Sequence, residues 1–105
     1  YYFMFTSGLT GWKTNPEKCF RAGNFLGPWT DMGDPCADDI TGTTFESQST
    51  YVFAVEGKPG LFIHMAERHN IQNFERCSYI WLPVEFPTED TVRLTYRTSW
   101  KWEDF

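Results

Sequence analysis

Long apolar runs are missing from this 105-residue sequence, and every hydrophobic stretch falls far short of the roughly 18 residues a bilayer-crossing helix requires. Positive charge is sparse as well. Nine Lys and Arg face fourteen Asp and Glu, for a formal charge of −5, and no two basic residues are adjacent. Nucleic acid and anionic membranes call for clustered cations, so neither is expected as a partner. The three cysteines, Cys19, Cys36 and Cys77, are too few and too far apart for a disulfide framework or a C-x-x-C site. One Cys19–Cys36 bridge or three buried thiols are both compatible with that count, and the compartment stays undecided. No stretch has helical periodicity, and no cleavable leader is visible. Also lacking are an H-E-x-x-H helix, a G-x-S-x-G elbow and a Gly-rich phosphate loop. No metal and no cofactor is therefore expected, even though His64 and His69 are close in sequence.

What is present is aromatic and strand-forming: 41% of residues are apolar and 19% are Phe, Trp or Tyr, enough for the core of one small domain. The organising stretch is Thr43–Val55, which starts polar, ends apolar, and contains neither Gly nor Pro. Read as one long strand, it puts Glu46, Gln48 and Thr50 on one face and Ser47, Ser49 and Tyr51 on the other. Polar groups at the mouth of a buried strand suit a polar ligand; they equally suit a strand entering the core from a wet loop. Before it come a strand over Tyr2–Ser7, a turn-rich loop over Gly8–Pro16, and a strand over Lys18–Gly23 continued across a turn by Phe25–Thr30. Asp31–Gly42 reads as loop. After it, Glu56–Gly60 is a hairpin signal, Leu61–Ala66 and Cys77–Leu82 are apolar strands, and Val92–Arg97 alternates like an outer strand. Cys77–Leu82 has the near-continuous apolarity of a strand covered on both faces, and Pro83 is expected to break it. The tail with Trp100 and Trp102 reads as a lid.

The opening Tyr1-Tyr2-Phe3-Met4-Phe5-Thr6 resembles Gly60–Ala66, and each leads through a polar loop to another strand. Repeated antiparallel sheets of this kind suggest β-propeller blades, with a small β-sandwich as the competing architecture. An aromatic strand at residue 1 reads as a chain cut from something larger, with open edges that invite association. The acidic candidates Asp38, Asp39, Glu46 and Glu67 include no pair that spacing alone assigns as acid and base. Trp12, in its Gly-rich loop, is the best platform for a sugar ring, whose apolar face stacks on aromatics while its hydroxyls take hydrogen bonds.

Ser7–Trp12 with Asn15, Gly27–Thr30, Thr44–Thr50, Met65–Arg68 and Trp81-Leu82-Pro83 together resemble glycoside hydrolase family 43, in its exo-β-1,3-galactanase-like branch. The resemblance runs over essentially the whole chain. It implies an all-β fold: the C-terminal blades, about one and three-quarters, of a five-bladed propeller. Residues 1–42 would be an incomplete penultimate blade and 43–105 the last blade. It also implies an inverting, exo-acting, secreted or periplasmic glycosidase acting on galactan or related plant polysaccharide side chains. Gln48 matches a glutamine near the attacking water, Thr10 and Trp12 match a sugar-contacting loop, and Glu67 and Arg68 match a polar pair near the axis; Glu46 is a further binding candidate. His69 stands where an aromatic such as Trp is expected. The family's general acid is a Glu on a strand just before Tyr-Tyr, so this chain alone should be inactive. The partners expected are an oligosaccharide or polysaccharide and the rest of a propeller, or a second copy across open edges. A non-catalytic carbohydrate-binding module and a structural half-propeller are the alternatives.

Overall fold

Short turn-bounded segments of alternating residues give six strands in the computed structural model, which describes residues 1–105. β1 (Tyr2–Thr6), β2 (Lys18–Ala22) and β3 (Thr30–Gly33) form one antiparallel sheet in that order. β4 (Gln48–Ala54), β5 (Phe62–Arg68) and β6 (Ser78–Pro83) form a second. The chain is all-β, built of two small antiparallel sheets. No helix is long and apolar enough to cross a membrane.

Several expected boundaries move. The long strand over Thr43–Val55 is only Gln48–Ala54. Its polar lead is a left-handed turn, with φ of 55° at Thr44 and Phe45 and 59° at Glu46, so Glu46 does not share a strand face with Gln48. A register shift between Ser49 and Tyr51 then interrupts the alternation that was to put Thr50 beside Gln48. Phe25–Trp29 is not a strand but a turn containing a cis Gly27–Pro28 bond. β3 (Thr30–Gly33) begins at the last residue of that expected strand and runs on into the segment read as loop. Val92–Arg97 contributes one isolated bridge, Glu85 to Arg93, instead of a fourth strand. Its alternation is spent on burying Leu94 in the core and forming the Arg93–Glu85 ion pair. Pro83 closes β6 from within, and Tyr79 and Trp81 are 68% and 44% exposed, so β6 is covered on one face only.

The Glu56–Gly60 hairpin forms as its residues dictate. Gly57 and Gly60 adopt φ of 78° and 82°, which side chains resist. Ala66, Ile80, Leu82 and Val84 bury one side of the second sheet with Phe45, Cys36 and Leu94, while Phe5, Val52, Phe62 and Val92 pack around them. Across the sheets, Phe5 meets His64 edge-on at 5.4 Å and Phe3 meets Phe86 at 5.9 Å. Arg21 holds Asp90 at 3.0 Å. The buried Glu17 and His64 bond at 2.8 Å, and one Glu17 oxygen has no partner. All three cysteines are free thiols. Cys19 and Cys36 are buried, and burial, reinforced by the Glu17 charge, raises the Cys19 pKa to about 11 and that of Cys36 further still.

The chain exposes 7213 Å², whereas a monomer of 12.3 kDa is expected to expose about 6,100 Å². Only 18 of its residues are buried, because Tyr51, Tyr79 and Trp81 on the second sheet and Tyr2 and Met4 on the first remain open. Trp100 is not a lid over residues 92–97: its indole N–H donates to the Trp81 carbonyl at 2.7 Å, at the open edge of β6.

Candidate functional site

The Gly8–Pro16 loop is tied by one side chain. Asn15, almost fully buried, accepts from the Gly8 N–H at 2.8 Å and donates to the Thr10 hydroxyl at 2.7 Å. A Cβ on Gly8 would come within 3.0 Å of the Asn15 side chain, so the loop requires glycine there. The Thr10 hydroxyl also donates to the Lys13 carbonyl, so its proton is committed within the loop and only acceptor capacity is left for a ligand. This framework carries Trp12 outward, 69% exposed.

Gln48 opens β4 beneath that loop. Its amide nitrogen donates to the Gly11 carbonyl at 2.6 Å and the Lys13 carbonyl at 3.1 Å. Both amide protons are thereby engaged, and the amide oxygen is left as an acceptor. Directly across the ladder from Gln48 stands Glu67, on the same face. Two residues on, His69 approaches the Glu67 carboxylate at 3.9 Å and meets the Trp12 indole edge-on at 4.8 Å. Trp12, Gln48, Glu67 and His69 therefore form one corner: an exposed aromatic face, an amide oxygen, a carboxylate and an imidazole.

Two expected members lie elsewhere. Arg68 alternates to the opposite face of β5 and donates from Nε and Nη2 to the Phe45 carbonyl, at 3.2 and 2.9 Å. Glu46 rides exposed on the left-handed turn, its carboxylate without a hydrogen-bond partner there. That turn is over-determined. Asp39 accepts from the backbone N–H of Thr41, Thr43 and Phe45 and from the Thr41 hydroxyl. Burial alone would raise the Asp39 pKa, but these hydrogen bonds outweigh it and hold the carboxyl below its ordinary value. The Thr44 hydroxyl donates to the Asn15 carbonyl at 2.7 Å and accepts from the Glu17 N–H at 2.9 Å. So the turn before Gln48 and the loop above it are fastened to each other. Asn15, read from the sequence with the Ser7–Trp12 motif, and Asp39, one of the acidic candidates, do this work. The signal for Asn15 was an Asx residue beside Pro in a Gly-rich loop.

A cavity of about 950 Å³ is a different place. It runs along the unpaired edge of β1, lined by Tyr2, Phe3, Phe5, Tyr51, Phe62 and Phe86 among others, and holds none of the corner residues.

An exposed indole beside hydrogen-bond acceptors is an arrangement that can hold a sugar ring. No family model matches the sequence, and no curated protein matches it. Solved structures do. A GH43 β-1,3-galactosidase shares 33% identity over 99% of this chain, with a TM-score of 0.89. A second, solved with galactodeoxynojirimycin, shares 34% over 96%, at 0.88. An exo-β-1,3-galactanase from Clostridium thermocellum shares 28% over 90%, at 0.77. The chain spans 22%, 29% and 21% of the lengths of those three. The resemblance to glycoside hydrolase family 43 and its β-1,3-galactanase-like members, read from the motifs, is thus found again in three dimensions.

Proposed function

We propose that this chain is the C-terminal part of a five-bladed family 43 propeller, with residues 1–42 and 43–105 contributing to its last two blades. The parent would be an inverting, exo-acting hydrolase of β-1,3-galactan or related plant polysaccharide side chains, secreted or periplasmic. In it, the Trp12–Gln48–Glu67–His69 corner binds sugar and orients the attacking water.

The observation that carries the reading is the Gln48 amide. With both of its protons given to loop carbonyls, its free oxygen can only accept, so it can hold a water by one O–H. An amide is too weak a base to remove that proton at neutral pH, so its part is aim and not proton transfer. Inversion needs such a water on the face opposite the general acid. The acid itself belongs, by family resemblance, to an innermost strand, and β1 is an edge strand with one side left unpaired. The surface exposed beyond the expectation for this mass supports further sheets covering this one.

In a chain that includes the acid-bearing strand, Gln48→Ala is expected to lower kcat by on the order of a hundredfold while weakening sugar binding far less. Equal losses would leave Gln48 a binding role only and favour the carbohydrate-binding module. The 105-residue chain by itself, lacking a proton donor to the leaving oxygen, is expected to release no galactose from β-1,3-galactan. Turnover by it would overturn this assignment. The open edges and exposed aromatics favour one other reading, a structural half-propeller that assembles with another chain; a monomer in solution counts against it.

A further inference from the structure

Along the open edge of β6 lies a separate cavity of about 300 Å³, lined by Arg68, Tyr79, Trp81, Tyr96, Arg97 and Trp100 among others. It is cationic in a protein of net charge −5. Arg97 spends Nη2 on Glu85 at 3.1 Å and lays its guanidinium over the Phe105 ring, and its Nη1 makes no hydrogen bond. Arg68 gives Nε and Nη2 to the Phe45 carbonyl and has no acidic partner at all, so Nη1 is uncommitted. An uncommitted guanidinium N–H on the wall of a cavity is free to donate to a ligand there. The acidic side chains nearby are already engaged: Glu85 is shared by Arg93 and Arg97, and Asp38 accepts from the Tyr96 N–H at 3.3 Å.

The cavity also has a position relative to the corner. Gln48, Glu67 and Tyr79 form one row across β4, β5 and β6, so Tyr79 stands two strand spacings, about 10 Å, outward from Gln48 on the same end of the sheet. Guanidinium groups with free N–H donors recognise carboxylate and sulfate oxygens, and tyrosine and tryptophan rings recognise the sugar that bears them. We propose that this cavity is a subsite for an anionic sugar, a uronate or a sulfated residue, carried on a branch of the polysaccharide. That the sugar belongs to the substrate rests on the hydrolase reading above; the binding itself does not.

The test is titration of the 15N-labelled 105-residue chain, following the indole N–H resonances of Trp100 and Trp12 separately. Sodium glucuronate and galactose 6-sulfate, in parallel arms, distinguish the two sources of charge. At least one is expected to shift Trp100, with neutral galactose moving Trp12 and leaving Trp100 in place. Arg97→Gln should weaken the anionic sugar on the order of tenfold, and raised salt should weaken it too. Arg93→Gln, which breaks the other arm of the Glu85 network without lining the cavity, should bind as the parent does and controls for folding. Gln48→Ala should leave the Trp100 response intact, so failure of the corner and failure of this subsite are told apart. The proposal is overturned if neither anionic sugar shifts Trp100, if inorganic sulfate does so as strongly as the sugars, or if Arg97→Gln binds unchanged.

Discussion

Glu46→Gly is a substitution that should stabilise the chain. Three consecutive non-glycine residues, Thr44, Phe45 and Glu46, hold φ between 55° and 59°. Left-handed backbone costs an L-residue roughly 1–2 kcal/mol, because Cβ crowds the following carbonyl oxygen. Thr44 and Phe45 recover that cost through buried contacts: the Thr44 hydroxyl makes two hydrogen bonds and Phe45 sits in the core. Glu46 recovers none of it with its side chain. Its only contribution to the turn is the backbone N–H, which donates to the Thr43 hydroxyl at 3.0 Å and which glycine retains. Against the relief stands the extra freedom glycine gives the unfolded chain, about 0.5–1 kcal/mol. The net gain lies between about 0 and 1.5 kcal/mol and is centred on about 0.75, or roughly 3–6 °C in Tm for a domain of this size. Glu46→Ala keeps the strained Cβ and should change stability by less than about 0.5 kcal/mol. Urea titration followed by tryptophan fluorescence, run on both variants, separates them. A loss with glycine, or an equal gain with alanine, would refute the strain argument. Galactose binding measured on the same samples has a second use: affinity that falls while stability rises places the Glu46 carboxylate in the sugar site.

Asp39→Asn sets an amide N–H₂ against donors that now face carboxylate oxygens, and should cost about 1–3 kcal/mol in chemical denaturation. Because the folded-state pKa of Asp39 is depressed, its contribution is full above the ordinary carboxyl value and is lost as pH falls through the depressed one. The variant's stability should therefore fall less steeply than the parent's below about pH 4; parallel acid profiles would contradict this. At the Glu17–His64 contact, both side chains are 2% exposed and one Glu17 oxygen is unsatisfied. His64→Leu alone should cost about 3–5 kcal/mol by stranding a buried carboxylate, and Glu17→Met combined with it should recover most of the loss. Simple additivity of the two in a double-mutant cycle would show that the pair does not couple the sheets.

How much of this was legible in the sequence depends on whether the information was local. The Glu56–Gly60 hairpin and the strands on either side of it were legible, because glycine spacing and apolar runs specify them within a few residues. The family resemblance was legible for the same reason, since Ser7–Trp12 and Thr44–Thr50 are contiguous motifs. The left-handed turn was not. Nothing within Thr44-Phe45-Glu46 favours positive φ, and β-branched Thr44 argues against it. What imposes the turn is Asp39, four and six residues before the N–H groups it accepts from, together with Asn15 and Glu17, 29 and 27 residues away, a separation from which no propensity can be read. The outer strand at 92–97 failed for a related reason. Alternation reports which residues face inward, and Leu94 does, but it cannot report whether a neighbouring strand lies close enough to pair.

The same non-local fastening links stability to the site. Backbone strain in three consecutive residues persists only where the surroundings over-determine it, and such strain gathers where a side chain must be aimed. Here the turn ends at Ser47, and the next residue is Gln48. Asp39 holds the turn from below, Thr44 joins it to the Asn15 and Glu17 backbone, and Asn15 in turn folds the loop whose carbonyls seize the Gln48 amide. Arg68 adds a further hold by gripping the Phe45 carbonyl. Gln48 is thus held from both ends, by the backbone before it and by the loop above its side chain. Loosening either end would let the amide rotate and present N–H where an acceptor is needed. On this argument, substitutions at Asp39 or Asn15 should cost a catalytic parent more in kcat than in sugar affinity, although neither residue reaches the corner.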